Sequence, residues 1–332
     1  MKIFRLFKLL LLLLLLFPST LYCQTYFRVM EWNVENLFDT VHDSLKNDNE
    51  FLPNSMRHWN KTKYWDKLNK IGKTIAATSQ EDAKNYDLPD LIGLCEVEND
   101  STMIALAKRS LLRTARYEYV MTSSPDIRGI DVALLYSPFS FRLLNVDTIR
   151  IVPLTDMRPT RDILYVKGEL QTLDTLHVFL VHFPSRRGGE MLSKSYRIRV
   201  ADKLSSVIDS VRLVNKSPKI IVLGDFNDYA DGRVIKMLES NEMRDISKYS
   251  IGINKSKGTY KYKAEWGSLD HIIISTNLLP FAQKCYIFDP NFLLEKDTRY
   301  GGTKPYRTYN GIRYNRGYSD HLPLILDLKI GK

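Results

Sequence analysis

A carboxylate and an amide two residues apart follow a run of apolar and β-branched residues in the segment 220–232, IIVLGDFNDYADG. The two residues are Asp225 and Asn227, and Asp228 comes directly after them. Taken alone, this group is typical of a strand cap or a turn, because Asp and Asn side chains readily form local turns. It becomes informative only because similar groups recur along the chain.

Polar residues stand at or beside one end of six apolar runs, and a seventh group, GYSDHLP, carries two more just before the last run. Ligands and catalytic groups tend to gather at strand ends and on the loops that rigid sheets position. Carboxylates, amides and neutral imidazoles in one cleft favour a hard divalent cation, so we expect Mg²⁺, with Mn²⁺ or Ca²⁺ as alternatives. The residues are Asn33, Glu96, Asp131, His182, Asp225 with Asn227, Asp270 with His271, and Asp320 with His321.

Other catalytic chemistries lack their signatures in this sequence. The His-x-Glu and Cys-x-x-Cys patterns of zinc hydrolases are missing, and so are the Gly-rich loops that bind nucleotide phosphates. No Gly-x-Ser-x-Gly elbow occurs, and Ser319 lies in a context that favours a turn over a nucleophile. The residues therefore favour metal-assisted chemistry over an acyl-enzyme.

The elements that must position these residues can be read from hydrophobic patterns. Helical spacing of apolar residues predicts helices within 61–80 and over 190–214. Alternating strands and helices indicate a layered α/β or α+β fold, and no repeat or linker divides residues 24–332, so we expect one domain. Short apolar runs predict buried strands at 26–34, 91–97, 131–136, 176–183, 219–226, 269–275 and 322–328.

Residues 1–23 have the anatomy of a secretory signal, with three basic residues ahead of the apolar run Leu9–Phe17. That run is too short to span a bilayer comfortably, since a spanning helix needs roughly 20 apolar residues. We therefore expect a secreted or periplasmic protein without a stable membrane span. Lipoprotein anchoring at Cys23 is the less favoured alternative, because TLYC lacks the small residues usual before a lipidated cysteine.

Cys95 and Cys285 form no disulfide framework, and their pairing stays open.

The formal net charge is +10, and removal of the three basic residues of the signal leaves +7. A basic balance favours anionic partners. Nucleic acid, anionic lipid heads and phosphorylated metabolites all satisfy it, and charge alone does not choose among them.

Seven motifs, in order, resemble those of the endonuclease/exonuclease/phosphatase superfamily, which includes deoxyribonuclease I, apurinic endonucleases, neutral sphingomyelinases and inositol polyphosphate phosphatases. The resemblance implies a four-layered α/β sandwich, with two central mixed β-sheets flanked by helices and the site at one end. It also implies metal-assisted hydrolysis of a phosphate ester. The motifs are MEWNVENLF, GLCEVEN, DVALLY, VHFPSRRGG, LGDFND, SLDHIIIS and YSDHLPL.

The resemblance also implies a role for each matching residue. Glu96 resembles the principal metal-ligand glutamate, and Asn33 resembles the Asn that helps hold the metal or the scissile phosphate. Asp320 resembles a residue at the metal or behind it. Asp225 and Asn227 resemble the pair that orients the attacking water and contacts the phosphate. The last two matches are His321, at the phosphate as acid/base or transition-state donor, and Asp270, the carboxylate that orients it.

His182 resembles a second histidine that the deoxyribonuclease I and sphingomyelinase branches have and the apurinic endonucleases lack. We expect Asp131 to be its carboxylate partner and to raise its pKa. Glu35 is a candidate second metal-site carboxylate, although a solvated strand end is an equal alternative. Arg128 and Arg186 are candidate phosphate contacts, with surface solvation as the alternative for each.

Three functions fit these observations. The first is a secreted, Mg²⁺-dependent endonuclease acting as a monomer on nucleic acid, favoured by His182 and by the Arg, Lys and Tyr residues of 301–321. The second is a phospholipid, sphingomyelin or sugar-phosphate phosphodiesterase or phosphatase. The third, a non-catalytic binding protein on the same scaffold, is disfavoured because the acidic and imidazole set is complete.

Overall fold

A computed structural model describes residues 26–80, 88–172, 174–186 and 189–330. The predicted signal, residues 1–23, lies outside these described residues, as does Cys23. Two six-stranded mixed sheets face each other and helices flank them, which confirms the predicted four-layered α/β sandwich. Within the described residues, no helix combines the length and the apolarity that crossing a membrane would require.

The described residues form eighteen strands and four α-helices, numbered here in chain order. The strands are β1 (Tyr26–Leu37), β2 (Leu91–Val97), β3 (Glu118–Met121), β4 (Asp131–Tyr136), β5 (Phe141–Ile149), β6 (Ile163–Leu170), β7 (Thr175–His182), β8 (Lys219–Asp225), β9 (Met243–Asp245), β10 (Tyr260–Tyr262), β11 (Glu265–Gly267), β12 (Asp270–Ser275), β13 (Ala282–Ile287), β14 (Leu294–Lys296), β15 (Thr303–Pro305), β16 (Tyr309–Asn310), β17 (Arg313–Tyr314) and β18 (Leu324–Lys329). The helices are α1 (Lys61–Ala77), α2 (Asp100–Ile104, continued by a π-helical turn), α3 (Glu190–Val214) and α4 (Arg233–Glu239).

The two sheets share one plan. The first has the order β13-β18-β1-β2-β4-β3 and the second β5-β6-β7-β8-β12-β9. In each, the two central strands are parallel, β1 with β2 and β7 with β8, and every other pair is antiparallel. All seven predicted strands are present, together with strands that the apolar runs did not reveal.

Both faces of the central strands are buried, which is why they read as continuous apolar runs. On β8, Ile221 and Leu223 point into the core between the sheets, whereas Ile220 and Val222 pack in a second core under α3 and α4. The sheets approach closely at Gly93 of β2, where an added Cβ would lie 2.8 Å from side-chain atoms of both Leu180 and Leu223. A larger residue at that position would force the sheets apart.

Both predicted helices are present. Helix α3 has the predicted bounds, and α1 begins after Asn60, whose side chain accepts a hydrogen bond from the amide of Lys63 as an N-cap. The buried stripe of α1 includes Leu68, Ile71 and Ile75, which pack in the main core. The helix ends at Ala77, earlier than the predicted segment, because a 3₁₀ turn replaces its last residues.

Strand pairing brings the polar strand ends to one end of the sandwich. Asn33 on β1 lies beside Cys95 on β2, so Glu96 follows at the same edge. In the second sheet, His182 at the end of β7 pairs with Asp225 at the end of β8, which also pairs with Asp270 at the start of β12. The parallel central pairs are therefore what gathers these side chains.

His271 and Asp245 form a fully buried ion pair within the second sheet. The imidazole Nδ1 lies 2.9 Å from Asp245 Oδ2, and Nε2 lies 3.0 Å from the backbone oxygen of Asp228. Two acceptors require both ring nitrogens to donate, so the ring is charged. Burial alone would lower the pKa of His271, but the charge of Asp245 and the hydrogen bonds raise it above its usual 6.5.

We expect this pair to make stability depend on pH. Because the pKa of His271 is higher in the folded chain than in the unfolded chain, its contribution is complete below pH 6.5 and is lost as pH rises through the folded value. Chemical denaturation across about pH 6 to 9 should show the unfolding free energy falling. His271→Gln should flatten this dependence and cost about 3 kcal/mol at the low end. An unchanged slope in the variant would contradict the assignment.

Candidate active site

Asp225, Asp270 and His321 are buried and lie together at the end of the sandwich where the polar strand ends gather. One ligand-type atom from each residue lies within 4.8 Å of the corresponding atoms of the other two. The position of His321 is fixed from β1: the Trp32 indole nitrogen donates to the backbone oxygen of His321 at 3.0 Å. Ser319, predicted to be a turn residue, accepts from the amide of His321 at 3.1 Å and donates to the Asn33 backbone oxygen at 2.6 Å. The last motif is thereby tied to the first.

The predicted hydrogen bond between Asp270 and His321 is present. His321 Nδ1 lies 2.7 Å from Asp270 Oδ2, and the hydroxyl of Thr259 donates to the same oxygen. Burial alone would lower the pKa of His321, but the charge and hydrogen bond of Asp270 raise it well above 6.5. The ring of Tyr260 packs 5.0 Å from the imidazole. The contact with Asp270 and the raised pKa both favour the charged form of His321.

The carboxylate of Asp225 is held by two amide groups. Oδ1 accepts from the backbone amide of Asn227 at 2.8 Å, and Oδ2 accepts from Asn33 Nδ2 at 3.1 Å. Asn227 has a left-handed backbone (φ +49°) and donates from its side chain to the Phe183 backbone oxygen at 3.0 Å. Burial, followed by repulsion from Asp270, raises the pKa of Asp225 to about 7. A carboxyl group of this pKa can accept a proton near neutral pH.

The predicted pairing of Asp131 with His182 is wrong. Asp131 lies in the first sheet, where its Oδ1 accepts from the Thr122 hydroxyl at 2.6 Å and from the Ser124 amide at 2.9 Å. His182 lies in the second sheet, and its buried Nδ1 has no hydrogen-bond partner among the described residues. Its Nε2 instead lies 3.6 Å from Asp225 Oδ2 and 4.0 Å from Glu96 Oε1.

The expected rise in the pKa of His182 is wrong as well. Burial lowers this pKa well below 6.5, and the positive charges of Arg161 and Arg128 lower it further. Asp126 holds both arginines, with Arg161 Nη1 at 2.9 Å and Arg128 Nη2 at 3.2 Å from its Oδ2. Only Arg128 is substantially exposed, at 44% of its side chain. Both effects favour the neutral form of His182, and Arg128 is a cation within electrostatic reach of it.

Two strand bulges aim the glutamates of the first sheet. Pairing shifts between Asn33 and Leu37, and Glu35 within that interval has a left-handed backbone, as Glu96 has on the neighbouring strand (φ +53° and +66°). Such bulges commonly re-aim side chains beside active sites. Glu96 Oε2 accepts from the amide of Asn36 at 2.9 Å. Its Oε1 is left facing the His182 side of the cleft.

Arg307 bridges two of the predicted metal-site carboxylates, and the sequence did not single it out. Its Nε lies 3.3 Å from Glu35 Oε1, and its Nη2 lies 2.8 Å from Asp320 Oδ2. Burial would lower the pKa of Arg307, but these carboxylates raise it. The charge of Arg307 also stabilises the carboxylate form of Glu35. Burial and the charge of Asp320 act the other way and raise the pKa of Glu35 to about 7. Two of the five guanidinium N–H groups make these contacts, so the others can donate hydrogen bonds to a phosphate.

Lys67 is a second cation that sequence reasoning missed. Its Nζ donates to the Thr308 hydroxyl at 2.5 Å and to the Tyr318 backbone oxygen. Burial lowers the pKa of Lys67 to about 8, and the charges of Glu35 and Asp320 oppose that shift. Its position three residues after Tyr64 and four before Ile71 places it on the buried stripe of α1, which was an available signal.

The side chains at this end fit a hard divalent cation. Burial, followed by mutual repulsion, raises the pKa of Asp225 and Glu35, and a dication would relieve the repulsion. Asp270 Oδ1 and both oxygens of the buried Glu31 have no hydrogen-bond partner among the described residues. Asp225, Asp270 and His321 offer ligand-type atoms within 4.8 Å of one another, and Glu96, Asn33 and Asp320 stay predicted ligands.

Removing the charge of Asp270 tests this electrostatic arrangement. In Asp270→Asn we expect the pKa of His321 to fall, because burial is then opposed only by the weaker effects of Asp320 and Asp225. Nitrogen-15 NMR titration of the histidine ring measures the change. His177, which contacts Tyr165 and whose pKa burial lowers to about 4, is the internal control and should not move. A His321 pKa unchanged in the variant would contradict the arrangement.

Comparison with known proteins agrees with this geometry. The sequence profile of the Endonuclease/Exonuclease/phosphatase family matches residues 28–330. No curated protein sequence matches the chain. Among solved structures, an endonuclease/exonuclease/phosphatase family protein from Bacteroides thetaiotaomicron is similar, with a TM-score of 0.58 and 14% identity over 92% of this chain and 98% of that one.

Two further solved structures carry more specific names. A mannosyl-6-phosphatase from Bacteroides thetaiotaomicron is 15% identical, with a TM-score of 0.58, over 91% of this chain and 99% of that one. The catalytic domain of human Nocturnin, with a bound sulfate anion, is 18% identical, with a TM-score of 0.55, over 91% of this chain and 94% of that one. At these identities the likenesses show a shared fold.

Proposed function

Because this chain belongs to the endonuclease/exonuclease/phosphatase family, we propose that it is a Mg²⁺-dependent endonuclease that hydrolyses phosphodiester bonds of nucleic acid. Residues 1–23 act as a signal peptide, and residues 24–332 are the catalytic domain of a secreted or periplasmic monomer. Mn²⁺ or Ca²⁺ can take the place of Mg²⁺ in the ligand set, which prefers oxygen donors.

The observation that carries the nuclease assignment is the cationic rim around the buried acidic centre. Arg128 and Arg307 expose 44% and 38% of their side chains beside His182 and Asp320. Arg186, after β7, stacks 4.7 Å over the ring of Tyr229. A nucleic-acid backbone presents regularly spaced anions, and cations with an aromatic ring at a cleft are suited to bind it. The formal net charge of +7 that remains after removal of the signal supports the same substrate class.

The described side chains can divide the chemistry among themselves. Asp225, fixed by Asn33 and Asn227, has a lone pair left on each oxygen and can orient a water and accept its proton. His321 can donate its Nε2 proton to the phosphoryl group or the departing oxygen, while Asp270 keeps the ring charged and oriented.

Glu96, Asn33 and Asp320 are the residues that would hold the cation, and a bound divalent cation neutralises charge on the phosphoryl oxygens. His182 is neutral and faces the same cleft, so it can hydrogen-bond to the phosphate without adding charge. The arginines of the rim bind the phosphate and exclude competing orientations. Each role is a hypothesis that substitution can test.

Substitution of the two central residues should remove activity and preserve the fold. We expect Asp225→Asn and His321→Gln each to lower turnover of a phosphodiester by about 10²- to 10⁴-fold, the usual value of a positioned acid or base. Asp202→Asn, an exposed carboxylate on α3, is the matched control and should keep normal turnover. Steady-state kinetics and circular dichroism provide the readouts. Near-normal turnover in either central variant would refute its catalytic role.

A second candidate, a phospholipid phosphodiesterase, is favoured by an exposed apolar loop between β9 and β10. Three large apolar side chains project there, and the loop is held rigidly because buried Asp289 accepts the amides of Asn254 and Ser256, both at 3.0 Å. Such side chains can enter a lipid surface. They are Tyr249, Ile251 and Ile253, which expose 84%, 61% and 61% of their surface.

One panel of substrates separates the candidates. Plasmid DNA, RNA, sphingomyelin vesicles and a sugar phosphomonoester are each incubated with Mg²⁺ and with chelator. We expect cleavage of nucleic acid that chelator abolishes, because the rim matches a polyanionic backbone. Cleavage of lipid but not of nucleic acid would favour the second candidate. Release of phosphate from the monoester alone would indicate a sugar phosphatase and contradict both.

A further inference from the structure

A cavity of about 480 Å³ opens between α3 and α4, outside the catalytic centre. Helix α3 follows the loop after His182, and α4 follows the loop after Asp225, so the beginnings of both helices lie at the catalytic end of the second sheet. Neither the proposed mechanism nor the cation site uses this cavity. Its lining residues are Lys194, Arg197, Asp228, Asp231, Gly232, Arg233, Lys236, Met237 and Ser240.

The lining is predominantly cationic. Four side chains carry positive charge and two carry negative charge, which leaves a net of two positive charges around the space. One of the two carboxylates, that of Asp228, is already engaged, because it accepts hydrogen bonds from the amides of Tyr229 and Val234, both at 3.2 Å. Lys194 and Lys236 are exposed and make no ion pair within the described part of the chain. Their ammonium groups can therefore turn toward an anion.

The chemistry of the lining favours a phosphate over a base. None of the lining residues is aromatic, and Met237 is the one large apolar side chain among them, so a base would find no ring to stack on. Flexible ammonium groups and a guanidinium suit the oxygens of a phosphodiester, which they contact without reading sequence.

The cavity is also within reach of the reacting phosphate. Asp228 lines it and comes three residues after Asp225, and three residues span at most about 10 Å. A duplex advances about 3.4 Å per nucleotide along its axis, so a reach of at most about 10 Å covers no more than about three nucleotides. Arg186 stacks 4.7 Å over the ring of Tyr229, which follows Asp228 in the chain, and so adds a cation beside this loop.

We propose that this cavity is a second anion subsite, which binds a backbone phosphate within about three nucleotides of the one that is cleaved. The inference rests on the proposed endonuclease function, because it requires a substrate with several phosphates. The subsite increases the affinity for long substrates and fixes how they are aligned in the cleft. It takes no part in the chemistry.

Binding of a fluorescein-labelled duplex of about 20 base pairs, measured by anisotropy in chelator over a range of salt, tests the subsite without turnover. We expect Lys194→Gln/Lys236→Gln to weaken binding about tenfold and to lower the slope of log affinity against log salt by one to two units. Lys203→Gln/Lys216→Gln removes the same charge from exposed positions at and after α3, away from the cavity, and should bind within about twofold of wild type.

Each outcome decides one of the two claims. Equal affinity of the cavity variant and the control variant would overturn the subsite, and so would failure of the wild-type chain to bind the duplex. Cleavage of the same duplex by the wild-type chain with Mg²⁺ tests the proposed function separately. Selective loss of binding in the cavity variant, with no cleavage by wild type, would leave the anion subsite standing and refute the endonuclease.

Discussion

Mutual repulsion among buried carboxylates is the constraint around which this end of the molecule is built. Asp225 and Asp270 face each other across paired strands, and Glu35 lies within electrostatic reach of Asp320. Isolated, such groups would take up protons and lose their use as bases or ligands. The chain supplies positive counter-charges in His321, Lys67 and Arg307, which reduce the repulsion among the carboxylates. The centre keeps its negative character.

The counter-charges come from two separate parts of the chain, so the electrostatic balance depends on how these parts pack against the sheets. Lys67 reaches inward from α1, and Arg307 and His321 come from the segment before β18. The second sheet contributes Asp225 and Asp270 through the pairing of β8 with β12. Rigid packing between the sheets, close enough to require Gly93, keeps these groups at fixed separations.

Much of the fold could be predicted from the sequence because its central strands are buried on both faces and read as apolar runs. The edge strand β5 could not, since most of its residues are exposed, and β6 was missed because its burial partly alternates. The Asp270–His321 pair followed from the motifs. Arg307 did not, because an ion pair with a residue 272 positions away leaves no local pattern. Asp131 was wrongly predicted to pair with His182, because the order of the motifs does not show that the two residues lie in different sheets.

The bond from the Trp32 indole to the backbone of His321 joins residues 289 positions apart. β1 also depends on β18 for one of its two neighbours in the first sheet. The Asp270–His321 pair therefore cannot form until the late segment of the chain has packed beside the early one. Contacts between residues so far apart in sequence form slowly. The proposed active site is thus complete only late in folding, and a chain whose last strand has not yet been synthesised lacks it.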